Sequence, residues 1–229
     1  MLDVGPVNIA IVPSAPVMVP ELGAGVVSEL AELRMAVRSA VASLPSRWLV
    51  IGVDRRDAQL GPDAVGTFSG YGVDVPVTLG PDACGPAREL PLCALLAGWL
   101  RGQDNPQGSV QVRVFADDLT ADAALAHGRE LRADLDGASV GVLVIADGAS
   151  TLSPTAPGGY EPDSIAVQQH WDDALATADV GALAALDGVL GRVAYQVLAG
   201  LAGPGAKATE LYRGAPYGVG YFVGSWVSR

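Results

Sequence analysis

The sequence predicts an α/β domain with a mixed sheet that contains parallel strand pairs and carries helices on both faces. Short runs rich in Val and Ile recur at residues 7–12, 48–53, 110–115 and 140–145, and each ends near Pro, Asp or Gly. Segments with helical spacing of apolar residues separate these runs. Because strand and helix alternate up to residue 145, we expect parallel strands joined by crossover helices, in three layers.

Three segments are predicted to be amphipathic helices, because their apolar residues recur every three or four positions. The first covers residues 26–44, and the second covers residues 120–135 with Thr120 as its N-cap. The third runs from Leu183 to Leu201 and is closed by Gly203 and Pro204. The apolar stripe of the first helix consists of Val26, Leu30, Leu33, Val37, Val41 and Leu44.

The rest of the chain is less regular. The C-terminal stretch, residues 209–227, is predicted to form two strands. Residues 52–91 and 147–163 are rich in Gly, Pro and Asp and are predicted to be irregular; loops of this length inside a compact domain are often functional.

Composition limits the class of protein. The chain has 229 residues, half of them hydrophobic, which is enough for one domain over residues 1–229. Its net charge of -11 argues against nucleic acid or an anionic membrane as the main partner. Cys84 and Cys93 cannot build a disulfide framework, and the first residues lack the basic region of a signal peptide. We therefore expect a cytoplasmic protein with no membrane-spanning segment.

General catalytic signatures are scarce. His127 and His170 are the only histidines, so counting excludes a multi-histidine metal centre, and each is interpreted as a residue at the edge of an apolar helix face. Gly23 and Gly25 lack the third glycine of a nucleotide-binding turn. The single lysine, Lys207, does not lie in a phosphate-binding loop motif.

Four short segments carry a more specific signal. Residues 13–23 read PSAPVMVPELG, and residues 49–54 read LVIGVD. Residues 147–162 contain DGASTL and then APGGYEP, and residues 215–221 read APYGVGY. In this order they resemble the PHPP and VPEIG, SPH, GDLSHRL with APxGYDP, and EAPYGVGY segments of the class III extradiol ring-cleavage dioxygenases. That family lies within a broader superfamily of aromatic ring-opening dioxygenases and MEMO-like proteins. The resemblance implies their three-layer fold.

The same resemblance implies that the family's iron site is missing. The family holds a ferrous ion with two histidines and one glutamate, which leaves open positions for a catechol and dioxygen. The corresponding positions are Ser14, Asp54 and Gly214, and the family's acid/base histidine falls at Ser150. A serine hydroxyl is a poor ligand for ferrous iron and glycine has no side chain, so only Asp54 would remain as a ligand. We therefore expect no cofactor.

The first hypothesis is a non-catalytic relative of these dioxygenases that binds a small molecule or a partner protein. The Gly and Pro residues of the four segments fix loop shape and strand packing, so a vestigial pocket is expected to persist without its metal. A homo-oligomer is compatible with this hypothesis. The residues expected to line the pocket are Ser14, Glu21, Asp54, Asp147, Ser150, Tyr160, Gly214 and Tyr217.

Two alternatives remain open at this point. In the first, the chain is an enzyme with altered chemistry, in which Asp54, Asp57 and Asp147 gather around magnesium, a cation that prefers oxygen ligands. Against this, aspartates near strand ends in so acidic a chain are expected as turn formers. In the second, the chain is one half of a two-subunit assembly whose partner supplies the missing residues.

Overall fold

A computed structural model of the protein describes residues 6–23, 30–135 and 139–228. Its strands are β1 (Val7–Val12), β2 (Arg47–Asp54), β3 (Ala58–Leu60), β4 (Val65–Thr67), β5 (Pro76–Thr78), β6 (Ser109–Ala116), β7 (Gly141–Ile145), β8 (Lys207–Gly214) and β9 (Tyr221–Ser228). Its helices are α1 (Ala31–Val41), α2 (Leu92–Asp104), α3 (Ala121–Asp134), α4 (Ser164–Thr177), α5 (Val180–Ala185) and α6 (Arg192–Ala202).

The central sheet is mixed, with strand order β3-β6-β2-β7-β1-β9-β8. Strands β6, β2, β7 and β1 are mutually parallel, whereas β3 and β9 pair antiparallel at either side and β8 pairs antiparallel with β9. The carboxyl ends of the four parallel strands therefore meet at one edge of the domain. The short hairpin of β4 and β5 forms a separate two-stranded sheet.

Helices cover both faces of this sheet, as the sequence predicts. Alternate residues of β1 point to opposite faces: Ala10 and Val12 pack with α1 and α2, while Ile9 and Ile11 pack with the layer that contains α3, α4, α5 and α6. Each of these side chains is fully buried. Burial of both faces explains why β2 and β7 are mostly apolar runs and why β1 is interrupted only by Asn8.

The predicted strands are confirmed, and those before residue 146 agree with the structure to within one residue at each end. The first predicted helix is partly confirmed. Its residues 26–29 lie outside the described part, and it ends at Val41 instead of residue 44. Ser43 and Leu44 follow in a tighter turn, in which Leu44 N donates to Val41 O at 3.0 Å. Thr120 caps α3 as predicted, since its Oγ1 accepts from Ala123 N at 3.3 Å.

The single helix predicted between Leu183 and Leu201 is wrong. The chain forms α5 and α6 with an irregular connection between them, where Gly188 has a φ of 84° that interrupts helical geometry. Leu190, which has the spacing of an apolar-face residue in that predicted helix, is instead 57% exposed. The predicted stop is correct, because α6 ends at Ala202, immediately before Gly203.

The two edges of the central sheet differ. β3 has only three residues. β8 is longer, and its pairing with β9 is interrupted by a register shift between Glu210 and Tyr212. Arg213 of β8 forms an ion pair with Glu210 in the same strand.

Within the described residues, no helix combines the length and apolar character needed to cross a membrane.

Helices α3 and α6 touch backbone to backbone. A Cβ added to Gly128 of α3 would collide with the Val197 carbonyl oxygen, and one added to Gly200 of α6 would collide with the Leu125 carbonyl oxygen. Both obstacles are main-chain atoms, so side-chain rotation cannot relieve them.

We predict that Gly128→Ala lowers the free energy of unfolding by about 2 kcal/mol or more, because the two helices must separate. Gly102→Ala in α2 is the matched control, since nothing lies within 4 Å of an added Cβ there. This control should be neutral or stabilising by roughly 0.5 kcal/mol. Urea denaturation of both variants measures the difference, and equal effects would contradict the described contact.

Candidate functional site

A cavity opens where the parallel strands end. Ser14 follows β1, Asp54 ends β2 and Asp147 follows β7, and all three line a cavity of about 270 Å³. Ligands in open α/β sheets commonly bind at this edge. The remaining lining residues are Val53, Arg55, Leu92, Asp117, Ile145, Ala146, Leu190 and Gly191.

The carboxyl group of Asp147 is one of the polar groups that line this cavity. Its Oδ1 accepts a hydrogen bond from Ser14 N at 2.7 Å, which ties the segment after β1 to the segment after β7. Burial raises the pKa of Asp147 to about 7, although the Ser14 hydrogen bond opposes this shift. Near neutral pH the carboxyl is therefore partly protonated, so it can donate as well as accept a hydrogen bond to a molecule in the cavity.

The break between α5 and α6 forms one wall of the cavity. Leu190 N donates to Gly148 O at 3.2 Å, and Gly191 N donates to Asp147 O at 2.8 Å. These bonds hold the irregular connection against the segment that carries Asp147. The irregular connection between α5 and α6, which the sequence pattern did not predict, is thus part of the candidate site.

A buried glutamine fixes the position of the Asp147 segment. Oε1 of Gln168, on α4, accepts from Ala149 N at 2.8 Å, and its Nε2 donates to Asp172 Oδ1 at 2.8 Å. The amide occupies the space where Gly148 and Gly220 have no side chain. Around it, Gly148 N donates to Gly220 O at 2.7 Å and Gly220 N donates to Ala149 O at 2.8 Å.

Asp172 completes this buried arrangement. The residue is only 7% exposed, and burial raises its pKa to about 6 although the Gln168 amide and the charge of Arg213 favour the ionised form. The glutamine and aspartate were not among the residues predicted for the pocket. The sequence did indicate a link between them, because the two polar residues are four positions apart on the helix face that also carries Trp171 and Leu175.

A second, larger cavity adjoins the first. It has a volume of about 650 Å³ and shares Asp54 and Leu92 with the cavity around Asp147. Its wall includes the exposed aromatic ring of Tyr71 and the side chain of Arg88. Together the two cavities form a groove across the carboxyl edge of the sheet, with Asp54 at the junction.

The other five predicted pocket residues do not line the cavity around Asp147. Glu21 is exposed, and Gly214 is the last residue of β8. Ser150 lies in the loop after β7, where Tyr160 is 47% exposed. Tyr217 is half-buried and packs against the core on the α1 and α2 side.

Asp57 does not join Asp54 and Asp147. Its Oδ1 accepts from Ala116 N at 2.8 Å, and it lines a different cavity together with His127. Across residues 6–23, 30–135 and 139–228, no group of three or more His, Cys, Asp or Glu side chains is placed to hold a metal ion. Asp57 is therefore not gathered with Asp54 and Asp147, as the magnesium alternative requires.

The histidines and cysteines lie in different surroundings. His127 sits at a helix edge, with Nδ1 at 3.1 Å from Glu130 Oε2, and His170 is exposed. Cys93 is buried beside β2 and burial raises its pKa to about 12, so its thiol stays protonated near neutral pH; Cys84 is exposed.

The fold resembles that of a solved structure. The crystal structure of the uncharacterized protein JW3007 from Escherichia coli K12 matches with a TM-score of 0.55, covering 96% of this chain and 99% of that chain. The two sequences are 12% identical, so the likeness shows the fold alone. No protein-family model matches the chain, and no curated protein matches it.

We predict that Gln168→Leu lowers the free energy of unfolding by about 2 kcal/mol, because Ala149 N and Asp172 lose a buried hydrogen-bond partner. Gln169→Leu is the matched control, since Gln169 is exposed on the same helix and should change stability by less than about 0.5 kcal/mol. Urea denaturation measures both effects. Hydrogen exchange of the Ala149 amide should accelerate in the Gln168 variant only; unchanged exchange would show that the amide does not hold this segment.

We also predict a pH dependence carried by Asp147. Because the pKa rises from 3.8 to about 7 on folding, its stabilising contribution is complete below about pH 4 and disappears as the pH rises through 7. Relative to Asp147→Asn, the wild-type protein should lose roughly 2 kcal/mol of unfolding free energy between pH 5 and pH 8. Asp172 is present in both proteins, so its own contribution cancels in the comparison.

Urea denaturation at a series of pH values tests this expectation. The control is Asp82→Asn, an exposed carboxylate, which should keep the wild-type pH dependence. Parallel curves for the wild-type protein and Asp147→Asn would contradict the raised pKa of the Asp147 carboxyl.

Proposed function

We propose that this chain is a non-catalytic, cytoplasmic relative of the class III extradiol ring-cleavage dioxygenases that binds a small molecule. The binding site is the groove at the carboxyl edge of the sheet. The observation that supports this proposal best is the 2.7 Å hydrogen bond from Ser14 N to Asp147, beside Asp54. These residues come from three of the four family-like segments, and they converge on one cavity.

The groups at this edge do not suit ferrous iron. The two histidine positions implied by the resemblance hold a hydroxyl at Ser14 and a carboxylate at Asp54. Gly214 offers no ligand and ends β8 away from the cavity. Because ferrous sites of this type need two imidazoles and a carboxylate, the side chains present do not form one.

The same groups suit a ligand that carries hydroxyl groups. Asp147 can donate or accept near neutral pH, and the Asp54 carboxylate accepts. Val53, Leu92 and Ile145 supply apolar wall beside them. A small ring with adjacent hydroxyl groups would place its polar edge on the carboxyl groups and its apolar face on these side chains.

We predict that the purified protein, reconstituted anaerobically with ferrous iron, retains no stoichiometric iron and consumes no oxygen with catechol or protocatechuate. Metal analysis and an oxygen electrode measure the two quantities. Ring cleavage with stoichiometric iron would overturn the proposal and restore an active enzyme. Cleavage that appears only after a second protein chain is added would favour the two-subunit assembly.

Binding without turnover is tested with catechol as the probe, by ligand-detected NMR. Asp54→Ala should weaken binding about fivefold, because one hydrogen bond of roughly 1 kcal/mol is lost. Asp82→Ala, which also removes an exposed carboxylate, should bind as the wild-type protein does. Absence of binding in the wild-type protein would reject a ligand of this class, and equal loss in both variants would reject the site.

A further inference from the structure

A further cavity, separate from the groove at the carboxyl edge of the sheet, lies at the C-terminal end of α6. It has a volume of about 260 Å³ and is lined by two arginines of α3 and by the last residues of α6 with the turn that follows. α6 begins beside Gly191, which lines the cavity around Asp147, and it ends at this further cavity. The lining residues are Arg129, Arg132, Gly200, Leu201, Ala202, Gly203 and Pro204.

The guanidinium group of Arg132 lacks the partners that a buried cation needs. Its Nη1 and Nη2 atoms are buried, and neither has a hydrogen-bond partner in the described structure. Arg129 is exposed, and neither arginine forms an ion pair with a described residue. Buried polar groups are normally satisfied, and a guanidinium cannot escape the cost by losing its proton.

The two arginines also repel each other. They are three residues apart on one helix, a spacing at which like charges destabilise the folded state. The chain has 25 acidic residues, yet none of the described ones neutralises this pair. The two arginines are therefore unpaired cations beside an open cavity, and a bound oxyanion would neutralise their charge.

We infer that this cavity binds an oxyanion, either a phosphate group or a carboxylate group of a small molecule. Such a group offers several acceptor oxygens, and the planar guanidinium can donate two parallel hydrogen bonds to them. Both arginines line the cavity, so the anion would contact the partly buried side chain of Arg132 and the exposed side chain of Arg129. The two arginines then gain the negatively charged partner that they lack in the unliganded protein.

The negative charge of the whole chain does not prevent this binding. At physiological ionic strength, interactions between exposed charges are largely screened beyond about 8 Å. The two adjacent arginines therefore determine the local potential. The C-terminal end of α6 also lies here, and its partial negative charge would stabilise the two arginines and repel an anion. The experiment therefore has to distinguish anion binding by Arg132 from a role in stabilising this helix end.

The test combines binding and stability. Inorganic phosphate and citrate are titrated separately into the full chain at constant ionic strength, with binding followed by calorimetry and stability by thermal unfolding. The variants are Arg132→Met, which keeps the length of the side chain, and Arg129→Met. Arg47→Met is the control, because Arg47 is exposed at the start of β2 and lies outside this cavity.

The wild-type protein and Arg47→Met should bind at least one of the two anions and unfold at a higher temperature in its presence. Arg132→Met should bind at least about tenfold more weakly, since its charge-assisted hydrogen bonds are lost. In anion-free buffer it should be as stable as the wild-type protein or more so, because the unpaired buried charge is gone. The anion that binds distinguishes phosphate from carboxylate as the source.

Two results would overturn the inference. One is that neither anion binds the wild-type protein, or that both bind all variants equally. The other is that Arg132→Met loses stability in anion-free buffer while phosphate and citrate have no effect on any variant. The second result would assign Arg132 to stabilising the carbonyl end of α6 instead.

Discussion

The candidate site depends on one buried amide. Gln168 reaches from α4 to the turn after β7 and holds Ala149 N, while Asp172 holds the other end of the amide. The segment with Asp147 then bonds to Ser14 on one side and to Gly191 on the other. The geometry of the carboxyl edge is therefore set by a side chain that does not touch the cavity, in the way that supporting shells orient functional groups.

The fold was largely predictable because its signals are local. Continuous apolar runs mark the strands that are buried on both faces, and Thr120 marks the start of α3 by its own hydrogen-bonding chemistry. The pattern failed between Leu186 and Gly191, where helical spacing continues but the backbone leaves the helix. α2 was also missed, because its first two turns are almost entirely apolar and buried, so no polar face marks helical spacing there.

The site was predictable only in part. Ser14, Asp54 and Asp147 come together because each lies at the carboxyl end of a parallel strand, and strand ends can be located from sequence. Of the remaining predicted residues, Gly214 ends β8, and the other four lie in turns and loops whose paths depend on distant contacts, such as the one between Gly220 and Gln168. The separation of Asp57 from Asp54 has the same origin: three residues beyond the strand, the backbone has turned towards Ala116.

The two edges of the central sheet have a consequence for self-association. β3 offers too short a template for another strand, and the register shift in β8, next to the Arg213 and Glu210 ion pair, distorts the other edge. Both features are devices by which natural sheets resist templated polymerisation. We therefore expect any homo-oligomer of this chain to form through its helical layers instead of by strand addition at the sheet edges.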